Sequence, residues 1–245
     1  MIRKITVTLL LGVSLFGFGG PPTQTDDPNT PGAGNWDINV LVAGIKSQHE
    51  HVTEAPIFDI NYGPTDTTEV KLEVLNATKK ELEDSEELTD IDEIFVETGI
   101  KWRFYKDEAL SLSVFPQYAH IDINEEVETI ITLPIQMLYR FSPQWGFTME
   151  ASYQIVDNKD AIETPSNRIE LGGVLTYITK DGTDLMFEIR DVSEPHFKDH
   201  YSAYLFAYKQ RIALNIRGLF SIGKVFRHDH HETGLIYFAG LNFQF

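Results

Sequence analysis

The chain contains no cysteine, and after residue 20 it contains no apolar run as long as a membrane-spanning helix. The first absence excludes disulfide bonds, thiolate metal sites and lipid attachment through an N-terminal cysteine. The second argues against a helical membrane protein, because a spanning helix needs about 20 consecutive, mostly apolar residues. Neither absence excludes a transmembrane β-barrel, in which lumen-facing residues dilute the apolar signal.

Basic residues are scarce as well. The 245 residues include 20 Lys and Arg against 37 Asp and Glu, which gives a formal net charge of -17. Nucleic acid is therefore not an expected partner, since its phosphates are bound mainly through Lys and Arg. The acidic excess is compatible with loops that face water outside a cell.

Residues 1–20, MIRKITVTLLLGVSLFGFGG, have the features of a secretory signal peptide. Arg3 and Lys4 form a charged start, residues 5–18 are mostly apolar, and two small glycines follow. A membrane anchor or a core strand is the alternative, for which the apolar run is short. Residues 21–34 contain four prolines and no periodic pattern, so we expect an extended N-terminal segment on the periplasmic side.

Residues 35–245 consist of runs in which apolar residues recur at every second position, as from Leu235 to Phe245. A period of two indicates β-strands with two different faces. Most runs have ten or more residues, whereas globular strands average about five to six and a tilted membrane-crossing strand needs about nine to eleven. Twelve runs cover residues 35–46, 54–63, 66–76, 91–105, 108–119, 127–141, 144–156, 168–179, 183–192, 199–209, 211–223 and 233–245.

The connections between the runs alternate in length. Short turns are predicted at residues 63–66, 105–108, 142–144, 180–183 and 208–211, and mostly longer connections at 47–53, 77–90, 122–126, 157–167, 193–199 and 225–233. Short periplasmic turns that alternate with longer outer loops are typical of outer-membrane barrels, and a soluble sandwich has no reason to show them. The sequence therefore predicts an all-β fold: a transmembrane antiparallel up-and-down β-barrel of about 12 strands, with both termini periplasmic, in a Gram-negative outer membrane.

Aromatic residues cluster at the predicted periplasmic strand ends, where amphipathic rings form an interfacial girdle. The last strand returns to that side and ends at Phe245. A terminal phenylalanine resembles the signal that outer-membrane barrels carry for the barrel-assembly machinery. We therefore expect Phe245 to serve as an assembly signal.

Two stretches, TDDPNTPGAGNWDINV (residues 25–40) and APIFDINYG (55–63), carry a family resemblance. They resemble the start of the outer-membrane barrel family named for a MetA pathway of phenol degradation and often labelled "transporter". Asp37 replaces the Glu that is usual there. The resemblance implies a role in envelope passage, including passage of aromatic or other hydrophobic compounds, and it supplies no catalytic residues.

Alternation also predicts which charged residues face the lumen. Such a lining would select polar or charged solutes; alternatively, acids and bases on neighbouring strands would pair and fill the interior. The sequence leaves both open. The predicted lumen-lining residues are Asp59, Glu69, Lys71, Glu73, Glu97, Lys101, Arg103, Glu128, Arg140, Glu150, Glu170, Glu188, Arg190 and Arg217.

Two connections have unusual compositions. RHDHHE (227–232) offers His228, His230 and His231 as metal ligands, since imidazole suits Zn, Ni or Cu, although a solvated loop is the favoured reading. The acidic run 79–93 is predicted to be a solvated loop, with cation-mediated contact to lipopolysaccharide as an alternative. No cofactor is expected.

His200 and Ser202 resemble the H-x-S pair of outer-membrane phospholipase A, another twelve-stranded barrel. Ala203 stands where that family continues with Asn-Gly-Arg, and no oxyanion donors are visible. We therefore do not expect an enzyme, and lipid hydrolysis remains a third hypothesis. The leading one is a passive pore for small solutes; the second is a closed structural or adhesion barrel. Expected partners are outer-membrane lipid, lipopolysaccharide, the barrel-assembly machinery and a small solute.

Overall fold

The structure, a computed structural model, describes residues 21–47, 50–83, 86–123, 126–158, 166–193, 200–227 and 232–245. Within these ranges every regular element is a β-strand. No helix that is long and apolar enough to cross a membrane occurs among them. The proposed signal peptide, residues 1–20, lies outside the described residues.

The described residues form thirteen strands. Their bounds are β1 Trp36–Lys46, β2 Glu50–Thr65, β3 Thr68–Glu83, β4 Glu86–Lys106, β5 Leu110–Val114, β6 Gln117–Ile123, β7 Glu126–Arg140, β8 Trp145–Asn158, β9 Ser166–Ile178, β10 Asp184–Ser193, β11 His200–Ala213, β12 Ile216–Arg227 and β13 Glu232–Gln244.

Each strand pairs antiparallel with its neighbours, and β1 pairs with both β2 and β13, which closes the sheet. β5 and β6 are two halves of one span, because β4 and β7 each pair with both of them. The span is interrupted at Phe115 and Pro116, and Pro116 has no N–H to donate to the ladder. The fold is therefore a closed up-and-down barrel of twelve spans, and the sequence prediction of the fold class is confirmed.

Closure of the sheet predicts resistance to SDS. The backbone amides of Trp36 and Phe245 each donate to the other residue's carbonyl, at 3.0 and 3.1 Å, so the two ends of the sheet are hydrogen-bonded. A closed sheet has no free edge at which unfolding can begin. We expect unboiled protein to migrate differently from boiled protein on SDS gels; identical migration would contradict a closed barrel.

The barrel is apolar outside and largely polar inside. Along β7, Leu133 and Ile135 are exposed, whereas Thr132 and Gln136, which flank this pair, are fully buried. In a single closed sheet, buried positions point into the lumen and exposed ones point outward. Such an outer face is compatible with lipid rather than water.

We call the end of the barrel that holds Trp36 and Phe245 the turn end, and the opposite end the loop end. Aromatic rings gather on the outer face at the turn end: Trp36 lies 4.6 Å from Tyr62, and Trp145 lies 4.8 Å from Tyr177, between ring centroids. Asp107 shows how one tight turn is held, because its carboxylate accepts hydrogen bonds from the Tyr105 hydroxyl and the Leu110 amide. These bonds hold the pKa of Asp107 below its usual value, with that from Tyr105 the largest cause.

Two predicted connections are wrong. The turn expected at 208–211 lies instead at Leu214 and Asn215, because β11 continues to Ala213. Leu214 is 86 % exposed there. The acidic stretch 79–93 is not a loop but mostly a hairpin of β3 and β4, in which Thr78 pairs with Asp92. Backbone pairing needs no apolar face where a hairpin extends beyond the apolar band, so charge does not prevent it.

Candidate lumen site

Residues 21–30, here called the inner segment, lie inside the barrel. The sequence had suggested a periplasmic position for them, but Gln24 and Thr25 are buried among inward-facing side chains. The chain reverses into the lumen at Gly32 and Gly34, whose φ angles of 90° and 78° favour glycine. A Cβ on Gly63 would lie 2.1 Å from the Gly32 carbonyl oxygen, so this crossing also requires glycine at 63.

Strand β10 binds the inner segment most closely. The Glu188 carboxylate accepts hydrogen bonds from the Gln24 amide at 3.0 Å and from the Thr25 amide and hydroxyl, each at 2.6 Å. The Arg190 guanidinium donates to the Gln24 carbonyl at 2.8 Å and to Glu170 at 2.5 Å. Hydrogen bonds to ionised groups are among the stronger ones, so this contact fixes the segment in one position.

Asp26, the next residue of the inner segment, is bound by strands other than β10. Asp26 forms an ion pair with Lys101 at 2.8 Å and accepts a hydrogen bond from Gln136 at 3.1 Å. Lys101 also contacts Glu69 at 3.3 Å, and Gln136 also donates to Glu150 at 3.0 Å. The inner segment therefore bridges β4, β7 and β10, which only a lumenal position permits.

A second charged cluster lies on β3, β4 and β6. Lys71 pairs with Glu73 at 2.8 Å and with Glu97 at 2.9 Å, and Gln117 donates to Glu97 at 3.2 Å. Nearby, Asp59 accepts hydrogen bonds from two asparagine side chains. Buried charges are normally paired and hydrogen-bonded in this way, because an isolated one is costly.

The interior changes character along its axis. At the turn end a cavity of about 1270 Å³ opens between the strands and the inner segment. Toward the loop end many of the inward positions are apolar, and they pack into two clusters. The first contains Leu41, Ala43, Ile57, Leu75, Phe95, Ala119, Ile121, Ile130, Val156 and Leu219, and the second Ile45, Val192, Tyr201, Ala203, Leu205, Val225 and Ile236.

The structure places the sequence-predicted lumen residues as follows. Arg140 is exposed and Arg217 half-buried, and both line the cavity at the turn end. The other twelve are buried: Asp59, Glu69, Lys71, Glu73, Glu97, Lys101, Arg103, Glu128, Glu150, Glu170, Glu188 and Arg190.

Sequence reasoning missed three further charged residues. Arg168 and Glu54 are buried, and Asp26 reaches into the barrel. Arg168 shares its strand parity with Glu170, so alternation could have found it. Nothing in the sequence pointed to Asp26, because the inner segment has no periodic pattern of apolar residues that would assign its side chains to a face.

The remaining candidates are the His-rich stretch and the pair of His200 and Ser202. His228, His230 and His231 lie outside those residues, and within them no group of three His, Cys, Asp or Glu could hold a metal. His200 Nε2 and the Ser202 hydroxyl both contact Asp191, at 2.9 and 2.8 Å. The serine donates to a carboxylate and not to the histidine, which differs from an activated nucleophile.

The fold and the lumen together define a porin-like β-barrel of the outer-membrane type. No family model and no curated protein matches the chain. Among solved structures it is similar to the COG4313 outer membrane channel from Pseudomonas putida F1, with a TM-score of 0.70 and 10% identity over 89% of this chain and 98% of that one. It is also similar to the translocator domain of the autotransporter NalP from Neisseria meningitidis, with a TM-score of 0.60 and 10% identity over 85% of this chain and 87% of that one. The NanC porin is similar as well, with a TM-score of 0.57 and 11% identity over 84% of this chain and 98% of that one.

Proposed function

We propose that this protein is an outer-membrane channel for small solutes whose lumen is gated by its inner segment. The observation that carries the proposal is the position of residues 21–30, which occupy the lumen through side-chain contacts and are not part of the barrel wall. A segment held in this way can leave without breaking the sheet. The similarity to channels and porins supports the same function.

The interior suggests the kind of solute. A polar, charged zone at the turn end is followed by two apolar clusters toward the loop end. A passing molecule therefore meets hydrogen-bonding groups and apolar surface in succession. This order suits amphipathic or hydrophobic compounds, including aromatic ones, better than strongly hydrated ions.

The same apolar clusters favour a second candidate, a closed structural barrel. Their side chains are almost fully buried against one another, as in a packed core. Conductance in planar lipid bilayers separates the two functions. Single-channel steps support the channel, whereas a barrel that inserts and never conducts, even without its inner segment, supports the structural role.

For the conducting state we predict weak selectivity for cations. The buried charged residues among those described are nine acids and five bases, and a field of one sign concentrates counter-ions until salt screens it. Reversal potentials across a salt gradient should show cation preference that fades as salt rises, and Glu69→Gln should reduce it. Asp157→Asn, which alters an exposed residue of β8, should not change it. A firm anion preference would refute the lumen assignment.

A further inference from the structure

The outer wall carries two exposed lysines close together at the loop end. Lys46 ends β1 and Lys224 lies in β12, and both are cross-strand partners of Leu235 in β13. Their backbones are thus two inter-strand spacings apart, about 10 Å. In the described part of the chain, neither lysine forms an ion pair.

Other outward positions that the structure describes near this rim are acidic. Outward positions near the loop ends of β6, β8 and β10 hold Asp122, Asp157 and Asp191. The face formed by β12, β13 and β1, in contrast, carries the two neighbouring lysines. An acidic chain that keeps two lysines together on its outer wall offers this face to an anionic partner.

A groove lies directly below the lysines. The ring of Tyr237 lies flat over Gly44, where a Cβ would be 2.4 Å from it. Beyond the ring the wall has small side chains, and the β1–β2 register shifts between Leu41 and Ala43. The resulting apolar groove has a volume of about 570 Å³ and is lined by Val40, Leu41, Val42, Ala55, Pro56, Ala239, Gly240 and Leu241.

Larger residues border the groove on both sides. Phe220 in β12 is the cross-strand partner of Ala239, and Phe58 in β2 is the partner of Val40. Both rings are exposed on the outer wall. From Lys46 down to Val42 the distance along the strand is about 13 Å, so a headgroup at the lysines would place an acyl chain between these rings.

We propose that this face binds one molecule of lipopolysaccharide, with the phosphates of its lipid part on Lys46 and Lys224 and one acyl chain in the groove. Two lysines about 10 Å apart on long flexible stems can reach two phosphates of one headgroup or converge on one. Lysine alone would accept any anionic headgroup near the surface. The groove adds a requirement for an acyl chain at a fixed position beneath the charge.

The proposal rests on the membrane location and on loops that face outward, but it does not require an open lumen. The test uses the full mature chain, purified in neutral detergent and titrated with lipid A, with phosphatidylcholine as the comparison lipid. Each lysine near an anionic headgroup contributes about fivefold in affinity, so Lys46→Gln/Lys224→Gln should bind lipid A about 25-fold more weakly. Phosphatidylcholine binding should not change.

The chain offers a matched control at its other end. Lys106 and Lys180 are exposed at the turn end, and Lys106→Gln/Lys180→Gln should bind lipid A like the wild type. Ala239→Trp fills the groove without changing charge and should also weaken binding. Heat-modifiable migration of every variant verifies that it folds.

Equal lipid A affinity in the wild type and the Lys46→Gln/Lys224→Gln variant would overturn the proposal, and so would an equal loss in the turn-end control. A dimer that Ala239→Trp abolishes, in protein that does not bind lipid A, would assign the groove to a second copy of the chain. Conductance distinguishes this inference from the proposed function, because the two outer-wall lysines should not affect it.

Discussion

Deletion of residues 21–30, with residues 1–20 joined directly to Pro31, is expected to raise the single-channel conductance several-fold. The deletion removes the contacts with Glu188, Arg190 and Lys101 but keeps the hydrogen bond from the Gly34 amide to Gly63, so β1 still begins at Trp36. The measurement is conductance in planar bilayers, with heat-modifiable migration as the test of folding.

A single substitution tests the same gate more finely. Glu188→Gln keeps the size of the side chain but removes the charge that accepts three hydrogen bonds from Gln24 and Thr25. Losing charge-assisted hydrogen bonds should weaken the bound state by roughly 1.5–3 kcal/mol. If wild-type channels are mostly closed, the open fraction then rises by about tenfold or more.

Glu97→Gln is the matched control, because Glu97 is as buried as Glu188 but pairs with Lys71 on the neighbouring strand β3. It should leave the open fraction unchanged. If Glu188→Gln and Glu97→Gln increased the open fraction equally, the increase would be caused by a general loss of packing in the lumen. The inner segment would then not be the gate.

The second large effect concerns the outer wall. Leu133 lies midway along β7 and is 49 % exposed on the outer face. An arginine near the bilayer midplane costs roughly 2–4 kcal/mol in such barrels. We therefore expect Leu133→Arg to lower the free energy of unfolding, measured by urea titration in lipid vesicles, by about that amount.

Leu214→Arg provides the contrast. Leu214 is more exposed than Leu133, but it lies in the turn between β11 and β12, where an arginine can remain in water. The free energy of unfolding of the Leu214→Arg variant should therefore stay near the wild-type value. Similar losses for both variants would mean that the apolar band is misplaced.

The barrel could be predicted because its signal is local and repeated. A period of two needs only neighbouring residues, and the alternation of short and long connections adds the topology. The same signal explains the error at Leu214: Ile212, Leu214 and Ile216 keep the period through the turn. A pattern of apolar residues at every second position cannot distinguish a strand from a tight turn in which the same pattern continues.

The lumenal position of the inner segment could not be predicted, for a different reason. Thr25 and Glu188 are 163 residues apart, and the inner segment has no period that would assign it to a face. The two apolar clusters of the lumen were missed because some strands are apolar on both faces: Phe95 points inward beside the exposed Ile94. The sequence analysis had predicted only charged residues for the lumen lining.

The crossing of Gly32 over Gly63 keeps the inner segment attached to the barrel at the mouth of the lumen. The segment is thus a tethered ligand, whose rebinding depends on an effective concentration and not on how much protein is present. For short flexible tethers that concentration is in the millimolar range. Opening and reclosing should therefore be first-order events that dilution cannot shift, and a free peptide of residues 21–30 would have to reach about millimolar concentration to close a channel that lacks its own.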